Sequence, residues 1–404
     1  MLSLNLRIAR RHLLKSPIQA AISLISLILG LTFFFLISLW IKDELSYDTG
    51  FSHAEQIGRV ETNLTLKDGT SFSLPTVGWP VGKALASEYP EIECLTYMRS
   101  WSPIITFKGT KFYETAFYAD KDFFRVFGYA LDEGNPASAL AGPHSLVISE
   151  KLKEKYFGKA GNAIGRILLL NDTVPFTVTG VLKAQAAPSH LRFEMLGSFS
   201  TLLASDAKGF QEEFTTGWFD VNVFNYVRMK KPASAASLTA KARDLILHDG
   251  AAAIAATGMK STLLIQPVPE IYLYSGLSTG STPTGNIKMV RLFMIIGFMI
   301  LIIACLNFIN LTTARSVERA REIGIKKVMG SGRRRLILQF MMESSCLCVF
   351  AAVSSLVLLL LLLPILNRFT GKTFHLMDLF SVGNAFLFLS IVAVVIPLSG
   401  LYPA

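Results

Sequence analysis

The stretch Thr312-Thr-Ala-Arg-Ser-Val-Glu-Arg-Ala-Arg-Glu-Ile-Gly-Ile-Lys-Lys-Val-Met-Gly-Ser-Gly-Arg-Arg-Arg335 separates two apolar runs, about 292–311 and 339–363. It holds six Arg and two Lys against Glu318 and Glu322, a net +6. Residues 1–18 add +4 through Arg7, Arg10, Arg11 and Lys15, which completes the +10 of the 404-residue chain. An apolar run of about 20 residues is long enough to cross a bilayer. Basic segments beside such runs stay on the cytoplasmic side. The two basic segments therefore set a topology, and the topology decides the fold.

Two further apolar runs complete the frame. The first, 19–41, ends in Trp40-Ile-Lys-Asp-Glu44 without a small-residue cleavage site, so it reads as a retained anchor. The last, 385–401, carries Pro397 near its end. Four crossings that keep 1–18 and 312–335 inside place 42–288 outside. The expected fold class is a membrane α-helical protein with four transmembrane helices. A large α+β extracytoplasmic domain is inserted between helices 1 and 2. The domains are then 1–18, 19–41, 42–288 and 289–404. A charged fraction of 17% beside a hydrophobic fraction of 51% argues against a purely soluble enzyme, because soluble domains carry roughly 25% charged residues. The basic excess sits only beside spans, which disfavours a nucleic-acid binder. Ser26-x-x-x-Gly30 and Ala351-x-x-x-Ser355 are small-residue pairs that permit close helix approach. Asn307, Asn310 and Glu343, near cytoplasmic span ends, read as interfacial or interhelical polar groups.

The 42–288 segment mixes strand and helix signals. Strands are expected at 57–66 and 71–75 around Lys67-Asp-Gly69, and at 104–107 and 112–118 around Gly109-Thr110. Others are expected at 145–148, 166–170, 176–182, 263–266 and 271–274. Helices are expected at 81–88, 122–127, 150–157 and 238–248, the third between Ser149 as N-cap and Gly158 as C-cap. Chemistry is harder to find. His53, His144, His190, His248 and His375 are scattered without metalloprotease spacing, and no G-x-S-x-G elbow occurs. Cys94 has no cysteine partner outside the spans, and Gly371-Lys-Thr373 lacks the first glycine of a P-loop. No catalytic residue, metal site or cofactor is expected.

Within the 312–335 loop, about 100° per residue puts Val317, Ala320, Gly324, Ile325 and Val328 on one helical face. Arg315, Glu318, Arg319, Glu322 and Lys326 lie opposite, with Glu322 and Lys326 an i,i+4 pair and Gly330 as the cap. A short amphipathic helix along the membrane surface is expected. A mid-helix Gly costs about 1 kcal/mol relative to Ala, so Gly324 suggests close approach of another backbone.

The run Ser316–Gly330, followed by Gln339-Phe and Glu343-Ser, resembles the signature loop of MacB/FtsX-like ABC-transporter permeases. Ile8-Ala-Arg-Arg-His-Leu-Leu-Lys15, Asp43-Glu-Leu-Ser-Tyr-Asp48, Phe123-Phe-Arg-Val-Phe-Gly128 and Val147-Ile-Ser-Glu150 with Lys155-Tyr-Phe-Gly158 agree with it. The resemblance implies a bacterial inner-membrane permease subunit with one helix, a periplasmic domain, then three helices. It implies an inserted periplasmic lobe at about 190–260. It also makes the loop a coupling helix that docks on a separate cytoplasmic ATPase, with Arg315, Glu318, Arg319, Glu322, Gly324, Lys326 and Gly330 as the coupling residues. Such permeases often work by mechanotransmission, passing ATP-driven motion to the periplasmic domain, for export, efflux or lipoprotein and envelope handling. The implied partners are that ATPase, a second permease chain or half, membrane lipids and a periplasmic or outer-membrane protein, with no nucleic acid. Family members usually continue past the fourth helix, so a chain stopping at Ala404 is expected to be a fragment, half of a longer permease or a short member. The competing readings are a membrane-anchored periplasmic sensor or regulator without transport activity, and a membrane-anchored enzyme.

Overall fold

The computed structural model describes residues 17–107, 110–159, 161–185, 187–204, 216–231, 234–277, 283–318, 325, 328, 333–375 and 382–401. The chain divides into two compact units, Met1–Glu44 with Lys288–Ala404, and Leu45–Ile287.

Among the described residues of the first unit four helices run Pro17–Leu45, Ile287–Glu318, Arg333–Thr370 and Val382–Leu401. Within the first three, Ala21–Leu45, Ile287–Asn310 and Ser344–Thr370 are long and apolar enough to cross a membrane. The fourth expected span falls within a helix of 20 residues. Every helix is longer than the apolar run that announced it. Pro364, just past the third apolar run, lies inside its helix. Gly30 of the first small-residue pair and both members of the second lie at helix contacts. A Cβ on Gly30 would sit 2.3 Å from Ala304 Cβ, so only glycine lets the first two spans pack this closely. Ala351 and Ser355 are buried, and Thr32 Oγ1 donates to the Ser355 carbonyl at 3.4 Å. At one end of the unit Lys372 bonds Asp43 and Glu44, the latter at 2.5 Å.

The second unit is built on thirteen strands among the described residues: β1 Ile57–Thr65, β2 Ser71–Leu74, β3 Ile92–Trp101, β4 Ile104–Phe107, β5 Thr110–Tyr113, β6 Ala116–Ala119, β7 Leu131–Gly134, β8 Ser145–Ser149, β9 Ile167–Leu170, β10 Val174–Leu182, β11 Met195–Ser198, β12 Phe224–Met229 and β13 Lys260–Pro267. They form one sheet in the order β13-β1-β12-β3-β6-β11-β8-β10-β9-β4-β5, with β2 on β1 and β7 on β10. Only β8–β10 and β6–β11 run parallel. Successive side chains on a strand point to opposite faces. One face of β12, with Phe224 and Tyr226, joins an aromatic core around Phe123 and Phe127. The other, with Val227 and Met229, is covered by the helices Trp79–Glu88, Ser234–Ala242 and Leu245–Asp249.

Several expectations need correction. The 271–274 segment is not a strand. It lies in the helix Val268–Tyr274, started by Pro269 in its first turn. The 238–248 helix is two helices, and 112–118 is split between β5 and β6. β3, β7, β11 and β12 are additional to the expected strands. Residues 190–260, the expected inserted lobe, supply β11 and β12 to the middle of the sheet. The ends of the 312–335 loop, 312–318 and 333–335, continue the span helices, because no Gly or Pro stands between Leu311 and Glu318 to stop the first of them.

Candidate functional site

Two regions bear on function, one in each unit. The first is the basic loop. The backbone of Arg315 and Glu318 lies on the last turn of the helix Ile287–Glu318. Arg319, Glu322, Gly324, Lys326 and Gly330 lie outside the described residues. Ile325 and Val328, from the expected apolar face, are helical and exposed, Val328 at 90%. That face is therefore not buried against its own chain at these two positions. The helix of 32 residues rises about 48 Å and the one of 38 residues about 57 Å at 1.5 Å per residue. The hydrocarbon core is only about 30 Å thick. Two long helices thus run past their apolar spans and end on either side of 319–332.

The second region is a buried polar network in the outside domain, where the chain enters and leaves it. Cross-strand register sets Gln266 of β13, Arg59 of β1, Tyr226 of β12 and Thr96 of β3 in one row. Arg59, Tyr226 and Thr96 are fully buried. Arg59 donates Nε and Nη2 to Glu61 Oε1 at 3.0 and 2.5 Å, and Nη2 to Ser275 Oγ at 2.9 Å. Ser275 Oγ in turn donates to Gln266 Oε1 at 2.7 Å. Burial pushes the Glu61 carboxyl up against the opposing pull of Arg59.

Beside this row Tyr226 Oη lies 2.8 Å from His190 Nε2. His190 Nδ1 lies 2.8 Å from Asp48 Oδ1, within ion-pair range but off the line of a hydrogen bond. Asp48 Oδ1 instead accepts from His190 N at 2.9 Å and Ser189 Oγ at 2.8 Å. Desolvation holds the His190 imidazole below its ordinary value although Asp48 opposes it. Thr96 Oγ1 donates to Asp120 Oδ1 at 2.5 Å, and burial raises the Asp120 carboxyl to about 7. Tyr47, two residues past the first helix, stacks on Tyr272 at 3.5 Å between ring centres, and Arg192 Nη2 donates to Tyr47 Oη at 2.8 Å.

Sequence reasoning leaves His190 among scattered histidines and misses the network altogether. Asp48 and His190 stand 142 positions apart, and no local spacing reports such a pair. The one usable signal is four polar residues on strands otherwise rich in apolar ones. The network offers no nucleophile with an activating base at an open surface. Among the described residues no group of three or more His, Cys, Asp or Glu side chains is placed to hold a metal ion. What it does is fasten the entry segment (Tyr47, Asp48) and the exit segment (Tyr272, Ser275) to the central strands.

Comparison with known proteins agrees with this architecture. The model of the MacB-like periplasmic core domain matches residues 20–245, and that of the FtsX-like permease C-terminal region matches 294–404. The macrolide export ATP-binding/permease protein MacB of Acinetobacter baylyi is 24% identical over 72% of this chain and 40% of its own length. The pyoverdine export ATP-binding/permease protein PvdT of Pseudomonas entomophila is 25% identical over 58% of this chain and 33% of its own. The solved periplasmic region of MacB from Actinobacillus actinomycetemcomitans covers 52% of this chain and 89% of that one, at 17% identity and a TM-score of 0.34. The matched part is thus well under half the length of these curated relatives. With its periplasmic core domain followed by its permease region, the chain belongs to the MacB/FtsX-like permease family.

Proposed function

We propose that this chain is the permease subunit of an ABC transporter of the mechanotransmission type. It crosses the inner membrane four times, with 1–18 and 312–335 in the cytoplasm and 42–288 in the periplasm. A separate ATPase hydrolyses ATP, and the 312–335 loop carries its motion to the periplasmic domain. The observation that carries this reading is the pair of unbroken helices, Ile287–Glu318 and Arg333–Thr370, which flank the basic loop. A helix without an interior proline transmits displacement along its axis without a hinge; Ile287–Glu318 is such a helix and begins where the outside domain ends, whereas Arg333–Thr370 carries Pro364 far from the loop. The polar network around Arg59 and His190 is the corresponding fastening inside the domain. The names of the relatives state macrolide and pyoverdine export, and export or efflux is the substrate class proposed here. Two chains, or two halves of one, would flank an ATPase dimer.

The test is co-purification with an ATP-binding-cassette ATPase encoded beside this chain. Gly324→Trp should uncouple substrate-stimulated ATPase activity while the complex still inserts. Glu322→Lys should weaken ATPase recruitment. Wild-type recruitment and coupling in both variants would reduce the loop to a lipid-surface element. Labelling of a Cys placed at Ser331 by an impermeant outside reagent would overturn the topology.

A further inference from the structure

The outside domain holds a cleft of about 300 Å³ whose lining includes Trp101, Tyr118, His144, Asn171, Phe176 and Thr201. Strand register builds one wall. Tyr118 of β6 stands opposite Arg99 of β3, on the same face as Trp101 two residues on. Gly197 of β11 is the neighbour of Tyr118 on its other side. A Cβ on Gly197 would sit 3.1 Å from Trp101 Cζ3 and 3.2 Å from Tyr118 Cδ1, so both rings lie over a residue that leaves them room. The rings stack at 4.2 Å and 17°. Phe176 of β10 meets Trp101 at 5.6 Å, and His144 meets Phe176 edge to face at 5.4 Å. His144 has φ 57°, which is uncommon for a residue other than glycine. It is held there from both sides: its N–H donates to Thr201 Oγ1 at 2.7 Å, and its carbonyl accepts from Thr177 N at 2.8 Å.

Polar groups on the same lining residues narrow the choice of occupant. Asn171 commits its Oδ1 to Ile104 N at 3.1 Å. Asn171 Nδ2, Trp101 Nε1, Tyr118 Oη and the His144 imidazole have no hydrogen-bond partner among the described residues, and all four are open to solvent. Burial pushes the Tyr118 phenol up to about 12, so it remains an O–H at neutral pH. Among the described residues no Lys, Arg, Asp or Glu lines the cleft, so an ionic ligand would meet no counter-charge except a protonated His144. A plain aromatic ligand would use the rings and leave the N–H and O–H groups unmet, at a cost for each one cut off from water. A sugar ring uses both. Its C–H faces meet the negative faces of aromatic rings, and its rim of hydroxyl and ether oxygens meets the donors. The volume falls at the lower end of the range of about 300–1,000 Å³ for small-molecule sites, room for a mono- or disaccharide.

We infer that this cleft binds a neutral pyranose, stacked on the Trp101–Tyr118 wall and hydrogen-bonded by Tyr118, Asn171 and His144. Binding here needs neither an ATPase nor the coupling loop, so its failure and that of the function proposed above are distinguishable. The test is saturation-transfer NMR on the full chain in phosphatidylcholine nanodiscs, which carry no sugar headgroup. The probes are maltose, cellobiose and diacetylchitobiose, with 2-naphthol as the flat aromatic comparison. At least one disaccharide should show transfer to its ring C–H protons at millimolar concentration. Trp101→Leu should abolish that transfer. Tyr118→Phe keeps the ring, and Asn171→Gly keeps the left-handed turn at φ 52°; each should weaken binding about two- to tenfold, the range for one hydrogen bond. Tyr113→Phe, at an exposed tyrosine outside the cleft, should change nothing. No transfer to any of the three disaccharides in the wild type, which needs no variant to fold, would overturn the site. Binding of 2-naphthol alone would overturn the sugar assignment and make the cleft an aromatic-ligand site. Disaccharide binding unaltered in Trp101→Leu, Tyr118→Phe and Asn171→Gly alike would place the sugar elsewhere on the molecule.

Discussion

The two units solve the problem of internal polarity in opposite ways. The outside domain buries a guanidinium, an imidazole and three carboxylates on or beside its central strands; Glu61 is met by its strand neighbour Arg59, and the others have partners from farther along the chain. The membrane unit keeps its clearest ion pairs at one end, where Lys372 meets Asp43 and Glu44, and fills its interior with small and apolar residues. The difference follows from the solvent each unit displaces. In water, hydrophobic burial supplies the driving force, so a domain folds even when part of its interior is polar. In lipid that force is absent between helices, and close van der Waals packing carries association. The outside domain is thus specified by who bonds to whom, and the membrane unit by which residues are small.

The largest effect is expected from breaking the Arg59–Glu61 pair. Arg59→Ala leaves Glu61 buried without its counter-charge, and breaking a buried pair costs about 3–5 kcal/mol. The unfolding midpoint of the full chain, followed by tryptophan fluorescence, should fall by many degrees. Arg59→Met with Glu61→Leu should recover most of the loss, because an apolar pair of similar volume avoids the stranded charge. A double variant as unstable as the single one would show that the arginine's links to Ser275 and Gln266 matter more than its charge.

Asp120 gives the next effect and a pH signature. Its carboxyl is raised from 3.8 to about 7 in the fold, so the folded state binds the extra proton between those values. Stability from this group is complete below about pH 4 and is lost as pH rises toward 7, at about 1.4 kcal/mol for each pH unit climbed. Asp120→Asn should therefore gain on the wild type as pH climbs from 4 to 7, by a few kcal/mol in all. His190 acts in the opposite sense. Its lowered value costs stability as pH falls below about 6.5. Comparing variant and wild type at each pH isolates Asp120. A difference that does not vary with pH would show Asp120 ionised in the fold.

In the membrane unit the matching experiment is steric. Gly30→Ala puts a methyl 2.3 Å from Ala304 Cβ, and overpacking of this kind costs about 1–3 kcal/mol. Ala304→Gly in the same chain should restore thermal stability in detergent, because it removes the opposing methyl. No rescue would show that the two helices separate elsewhere to accommodate the change.

Legibility from sequence follows the same division. The apolar runs, the small-residue pair at Gly30, the hairpin at Lys67-Asp-Gly69 and the helix after Ser149 are readable because each is a local pattern. β3 and β12 are not. β3 interrupts its apolar residues with Glu93, Thr96, Arg99 and Ser100, and β12 is buried on both faces with Asn225 and Arg228 among its apolar residues. Neither shows a period of two, because a strand with neighbours on both sides and layers on both faces has no solvent side to mark. The Asp48–His190–Tyr226 link is equally hidden, since its members lie far apart in the chain. Of the loop residues, Arg315 and Glu318 fall on a helix that simply continues the span, a run-on that the amphipathic pattern does not distinguish from a separate helix.

The smallest effect tests a feature that is legible. Ser149 Oγ accepts from Leu152 N at 3.2 Å and donates to Glu194 Oε2 at 2.5 Å. Ser149→Ala removes the cap and should cost about 1 kcal/mol, a shift of a few degrees at most in the same fluorescence melt. Ser149→Thr should keep both bonds and nearly all the stability. Ser149→Asp separates the two roles: it retains a capping oxygen and adds favourable charge at a helix N-terminus. It also faces Glu194, which already serves Lys151 at 2.8 Å. If the cap dominates, the aspartate variant melts above the alanine one. If the link to Glu194 dominates, it melts below, and even this local element would owe its stability to a partner 45 residues away, as the buried network does.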